Sequence, residues 1–383
     1  MRLDYIWIMK NPFHIQHYLG PDTFCDRKEE TKKLTEAAKN DRSVMLHSMR
    51  RMGKTGLIKH LQYHLDKSRK FNCVYLDILD TQSDTQFVSQ FISSCLNQLY
   101  SKQSNILEKM TNFFGRYRPK FSIDTLTGNP MIELDIKTQQ EIDLSLEATF
   151  NLLQESKKKI HIAIDEFQQI GEYESTVIDA TLRKHLSQSD NVVMLFSGSQ
   201  RHLLLGLFND PKKPMYRSVE QLELNEIGYD EYSQFITKHF NLGEKQIDDR
   251  VVHLILQWTR SHTFYTQYIC NRLYSLSQSN ITEKDLLRVQ QEVLKELEMN
   301  FLSYRNILSK NQYKLLQAIA SESSVRSVRT KAFTTKYGLA NSTANQSLNS
   351  LVDKEMIYEK LTEDGSEYFV YDLFLARWLE DRA

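Results

Sequence analysis

Ser43 to His60 reads SVMLHSMRRMGKTGLIKH. Val44, Met45 and Leu46 make a short apolar run, the pattern of a strand buried in a parallel sheet. Met49-Arg50-Arg51-Met52 follows as a loop, Gly53-Lys54-Thr55 closes it, and Leu57, Ile58 and Leu61 continue at helical spacing. A loop that opens a helix presents backbone N–H groups with no partner inside the helix, and the helix dipole adds positive potential there. The segment Ser48, Met49, Arg50, Arg51, Met52, Gly53, Lys54, Thr55 and Gly56 is therefore read as a phosphate cradle. Lys54 is expected to reach the β- and γ-phosphates and Thr55 to meet Mg²⁺. Ser48 stands where the full pattern has Gly, which a serine can satisfy if its φ stays negative.

A second motif complements the first. Lys159-Ile160-His161-Ile162-Ala163-Ile164 leads into Asp165-Glu166, an apolar strand ending in two carboxylates where α/β sheets place their ligands. Asp165 is expected to hold Mg²⁺ through water and Glu166 to polarise the attacking water. The next buried run, Val192 to Phe196, ends in Ser197-Gly198-Ser199-Gln200. Ser199 and Gln200 read as sensors of the γ-phosphate, or as a plain strand-to-helix cap. Arg217 offers positive charge to a γ-phosphate in its own or a neighbouring subunit, or forms a surface ion pair. Upstream, Phe24 and Arg27 read as contacts to an adenine ring, or as part of a capped surface helix with one buried Phe.

The remaining pattern sets the architecture. Phe87, Phe91, Cys95 and Leu99 share one helical face, the signature of core packing on a sheet. Residues 118–136 alternate apolar and polar about Thr127-Gly128-Asn129-Pro130 and read as an inserted β-hairpin. Strands are expected to stop at Tyr229, leaving a helical lid. From about 301, helices near 312–320, 330–337 and 342–354 and two strands about Asp364-Gly365 make a winged helix. Its helix after the turn offers Thr343, Asn345, Gln346 and Asn349 to a DNA groove. Glu359, Glu363, Asp364 and Glu367 make the wing acidic, against only Arg326, Arg329 and Lys331 nearby. Because phosphate contacts dominate DNA affinity, this balance favours a protein-contact or intramolecular role. The expected layout is a core over 1–225, a lid over 226–300 and a winged helix over 301–383.

Bulk properties exclude other classes. A chain of 383 residues exceeds one ordinary domain, and 49 basic against 49 acidic residues leave no global field for nucleic acid or anionic lipid. With 12 Gly and 6 Pro the chain is poor in linkers, and no apolar run reaches the ~20 residues of a membrane span. The apolar patch Tyr5 to Met9 carries no cleavage pattern and reads as no secretory signal. Cys25, Cys73, Cys95 and Cys270 lack metal-ligand spacing and are expected to be reduced, as in a cytoplasmic protein.

Taken together, NPF (11–13), FCDRKEE (24–30), HSMRRMGKTG (47–56), SIDTLTGNP (122–130), AIDEFQQI (163–170), FSGSQ (196–200), PMYRS (214–218) and YFVYDLFLARWL (368–379) resemble the archaeal/bacterial ATPase family of the STAND branch of P-loop NTPases, relatives of the AAA+ origin-recognition ATPases. The resemblance implies an α/β P-loop core followed by a helical lid and a winged helix. It also implies ATP binding with Mg²⁺, slow hydrolysis, and nucleotide used as a switch, with a protein partner or self-association. Lys54, Thr55, Asp165 and Glu166 carry over directly. The sequence departs from the family at Met49, Gly56, Tyr216 and Ser261-His262-Thr263, where Pro, Ser, Gly and Gly-x-Pro are usual. Two other readings stand beside the switch: a DNA-binding regulator or mobile-element helper, and a pseudo-ATPase scaffold.

Overall fold

The computed structural model describes residues 11–100, 120–123, 130–133, 138–175, 177–362, 365–380 and 382. Two compact units emerge, Gln16–Tyr232 and Ser233–Ala383, the latter joined by Met1–Ile15.

The first unit is built on strands β1 (Val44–His47), β2 (Phe71–Asp77), β5 (Lys159–Asp165), β6 (Val192–Gly198) and β7 (Glu220–Glu223). Their order is β2-β5-β6-β1-β7, and every pairing is parallel. β1 and β6 are buried along their whole lengths, as strands covered on both faces must be. Successive side chains point to opposite faces, so one sheet feeds two cores. Met45, Ile162, Ile164, Met194 and Phe196 pack on one side with Phe87, Phe91 and Cys95 of the helix Asp84–Tyr100. Val44, Leu46, Ala163 and Leu195 pack on the other, under the helices Lys28–Lys39 and Lys54–Lys67. Each fully buried Leu, Ile or Phe here contributes roughly 1.5–3 kcal/mol of transfer free energy.

Strands β3 (Lys120–Ile123) and β4 (Pro130–Glu133) pair antiparallel, Ile123 opposite Pro130, as the hairpin pattern anticipates. The turn between them lies outside the described residues.

Burial disfavours the charged form of several imidazoles in this unit. Burial pushes His60, His161 and His185 down from 6.5 to about 4, His64 adding to the effect at His60. A depressed histidine contributes stability that is complete above pH ~6.5 and is lost as pH falls toward 4, because the unfolded chain takes up its protons first. The melting temperature is therefore expected to drop steeply between pH 6.5 and 4. Replacing His161, which is fully enclosed in the sheet, by Asn should flatten that slope. A melting temperature constant across the interval would contradict the burial argument.

The second unit contains the helices Asp249–Thr259, Thr263–Tyr274 and Glu283–Ile307 and most of Tyr229–Leu242. Phe13 of the NPF segment is fully buried in it, against Phe235, Phe240 and Tyr274, while the Asn11 amide donates to Asn271 O at 2.9 Å. Strands do not stop at Tyr229. β8 (Gln246–Ile247) and β9 (Asn280–Ile281) form a parallel pair too short to leave any periodic trace. Ser309 and Gln312 build a capping box that starts the helix Lys310–Ser321. Helices Lys331–Lys336 and Asn341–Asp353 follow, then β10 (Ile357–Thr362) and β11 (Gly365–Val370), paired antiparallel as a wing. Val325 adds a bridge to Tyr368 that the sequence pattern did not signal. Leu373–Glu380 closes the winged helix, with Trp378 in its core.

Candidate nucleotide site

The loop 48–53 ends in Gly53, whose φ of 95° makes it the left-handed N-cap of the helix Lys54–Lys67. A residue with a Cβ would be strained at that φ, so the glycine of the motif is a backbone requirement. Arg51, at φ 62°, makes the other left-handed turn. Ser48 keeps a negative φ, so the missing glycine costs the loop nothing. Its hydroxyl is instead used: it donates to Met49 O at 2.8 Å and accepts from Lys54 Nζ at 3.1 Å. Lys54 Nζ also donates to Met49 O at 3.2 Å. The ammonium is thus aimed into the loop. Met52 is buried and Met49 packs beside it in the core under the helix, while the Arg50 and Arg51 side chains are exposed.

Lys54 is 6 % exposed, and burial pulls its pKa down, opposed by Asp165 and Glu166. Those carboxylates come from the end of β5. Thr55 Oγ1 donates to Asp165 Oδ2 at 2.7 Å across 110 residues of chain. Asp165 is 2 % exposed and also accepts from the Tyr75 hydroxyl at 3.0 Å. Asp77 pairs in register with Asp165, and its pKa is raised by burial and then by Asp165 and Glu166. A hydroxyl and a carboxylate within hydrogen-bond reach of each other are the hard oxygen donors Mg²⁺ prefers, so the pair fits that ion.

Glu166 turns off the strand at φ 57°. Its Oε2 accepts from Ser199 N (3.2 Å), Ser199 Oγ (2.7 Å) and Gln168 Nε2 (2.6 Å). Ser199 is there because β6 lies between β1 and β5, which carries its end to the carboxylate pair. Gln200 is the N-cap of the helix Arg201–Asn209 by position, but its side chain makes no cap hydrogen bond.

Phe24, Arg27 and Arg217 each have protein contacts of their own. Phe24 stacks on His60 at 4.1 Å and approaches Gly56, where an added Cβ would lie 3.5 Å from its ring. Arg27 is buried, paired with Glu30 at 3.1 Å and reaching Met52 O at 3.4 Å. Both border the loop. Arg217 is exposed over the Tyr216 ring at 5.1 Å, and the charges acting on Lys54 are Asp165, Glu166 and Arg50. Sequence reasoning missed Tyr75, Gln168 and Arg201. The last pairs with Glu223 at 3.0 Å and, with Lys54, lowers the pKa of His47, whose chief depressant is burial. A Tyr two residues before the end of a strand gives no local sign of facing a carboxylate.

This sheet order, with a glycine-lysine-threonine loop and an Asp-Glu strand end, defines a P-loop ATPase core, and a winged helix follows it. Residues 24–259 match the family described as an ATPase domain predominantly from Archaea, and the chain belongs to that family. Residues 299–381 match a probable winged helix domain. Among solved structures, the chain is similar to a Walker-type ATPase of Pyrococcus abyssi (17 % identity, 96 % of this chain and 99 % of that one, TM-score 0.65). It is also similar to the Aeropyrum pernix ORC2 protein in ADPNP–ADP complexes (12 %, 97 % of each chain, TM-score 0.58). No curated protein matches it. Among the described residues, no helix is long and apolar enough to cross a membrane.

Proposed function

We propose that this chain is a Mg-ATP-binding molecular switch of the STAND type that hydrolyses ATP slowly, coupling a core (1–225) to a helical lid (226–300) and a winged helix (301–383). One observation carries the reading: Thr55 Oγ1 and Asp165 Oδ2 meet at 2.7 Å, joining the phosphate loop to the Asp-Glu strand end. Loop amides and Lys54 bind the phosphates, and Thr55 and Asp165 hold the metal. Bound Mg²⁺ supplies charge neutralisation on the β- and γ-phosphates. Glu166 orients a water for in-line attack on the γ-phosphorus; the P–O bond to ADP breaks and the water's proton leaves with the phosphate or the carboxylate. Ser199 and Gln200 contact the γ-phosphate, and Arg217 supplies charge within its own or a neighbouring subunit.

The test is ATP-dependent thermal stabilisation together with phosphate release, each with Mg²⁺ and with the metal chelated. Stabilisation with slow release is expected, and chelation should abolish the release. At an ATP concentration 100 times Kd, stabilisation is about 2.7 kcal/mol. Stabilisation with no release under any condition would favour the scaffold reading.

A DNA-binding regulator is a second reading, supported by Arg329, whose guanidinium donates to Asn345 Oδ1 on the helix Asn341–Asp353 at 2.6 and 3.0 Å. On this reading a cation lies beside the helix that would enter a groove. On that reading, duplex mobility should shift at low salt with ATP present and the shift should vanish as salt rises.

A further inference from the structure

We propose that Gln168 is a positioning residue for Glu166, clamping one carboxylate oxygen so that the other is left to orient the attacking water. The proposal rests on the reading of Glu166 as the water-orienting carboxylate.

Gln168 lies in the short 3-10 helix Phe167–Glu172 and is 3 % exposed. Its Nε2 donates to Glu166 Oε2 at 2.6 Å, while its Oε1 is buried with no hydrogen-bond partner. A buried amide oxygen without a partner is unfavourable, so packing alone would not select this side chain here. Turning the amide over would set its oxygen against a carboxylate, so Glu166 fixes the orientation. Space for the unpaired oxygen exists because residue 198 is glycine: a Cβ there would lie 2.1 Å from Gln168 Oε1. A donor is thus kept on Glu166 in spite of an unsatisfied acceptor.

All three donors to Glu166 take the same oxygen, Oε2. Two of them come from Ser199, which the proposed reading also assigns to the γ-phosphate. When the Ser199 hydroxyl turns to phosphate, Gln168 is the side chain that still holds Oε2 and keeps Oε1 on the water. A carboxylate on a flexible stem otherwise loses that aim among its rotamers.

The experiment uses the full chain and compares Gln168→Met, which keeps length and volume but has no donor, with Gln168→Glu. For Gln168→Met, kcat should fall roughly tenfold, part of the ~10²–10⁴-fold that a positioned base supplies, with KM and ATP-dependent stabilisation unchanged. For Gln168→Glu, burial and the facing carboxylate raise the pKa of the new carboxyl. Protonated, it can again donate to Oε2, so the deficit against wild type should shrink as pH falls. A merely structural role would not produce that pH-dependent recovery. Wild-type kcat in Gln168→Met, or a Gln168→Glu deficit independent of pH, would overturn the inference while leaving the ATPase reading intact. Absence of phosphate release from wild type itself would overturn both.

Discussion

Lys54→Ala should lose nucleotide binding by roughly 10²–10³-fold, the equivalent of two charge-assisted hydrogen bonds to phosphate. The structure sharpens what must accompany that loss. Lys54 sits 6 % exposed, its charge disfavoured by burial and only partly compensated by Asp165 and Glu166. Removing the ammonium relieves its own burial penalty but leaves Asp165 and Glu166 without its charge and Ser48 and Met49 without its hydrogen bonds, so the nucleotide-free melt of the variant is the baseline against which the ATP shift is read. Lys54→Met, which keeps the buried stem, should behave the same way. Thermal melts with and without Mg-ATP separate the outcomes. Loss of the ATP-induced shift with an intact melt is the expected result. A shift as large as wild type's would remove Lys54 from the phosphate site.

Glu166→Gln should lower turnover by about 10²–10⁴-fold while leaving ATP bound. The reason lies in which oxygen is occupied. The three donors on Oε2 will select the amide oxygen of the replacement, which turns the NH₂ toward the position of Oε1. A group that can only donate there cannot draw a proton from water. The protein's shape is preserved because the hydrogen bonds to Ser199 and Gln168 persist. Chromatographic identification of the bound nucleotide after incubation with ATP should find ATP in the variant and ADP in the wild type. Equal phosphate release from the two would assign water activation elsewhere.

The reading of Lys54 and of the acidic pair at Asp165 and Glu166 as one site began in the sequence, while the contacts that each residue makes did not. GKT after a short apolar run is legible because a phosphate loop is contiguous: its amides, lysine and hydroxyl fall within a few residues of one another. The Asp-Glu end of β5 is legible for a similar local reason. The stripe Phe87, Phe91 and Cys95 was equally readable, since a 3.6-residue period needs no knowledge of the partner surface. Weaker signals fared differently. Ser48 was read as a departure from the loop pattern, and only its distances to Lys54 and Met49 give the hydroxyl a task. Phe24 and Arg27 were read as contacts to a base or as part of a capped surface helix, and the structure shows Phe24 stacked on His60 and Arg27 bonded to Glu30 and the loop backbone. The pair β8 and β9 left no pattern at all, because two residues cannot show a period.

By itself, then, the sequence determined the strand-loop-helix of the phosphate site, the acidic strand end, and the order of core, helices and wing, all properties carried by neighbours along the chain. Strand order is another matter. Buried parallel strands are near-identical apolar runs, and nothing in Val192 to Phe196 says that it lies between β1 and β5. That placement alone brings Ser199 to Glu166, and the packing around it brings the Tyr75 hydroxyl to Asp165 and seats the Gln168 amide over Gly198. These contacts depend on which strand ends are adjacent in space, a choice made by burying both faces of the sheet at once.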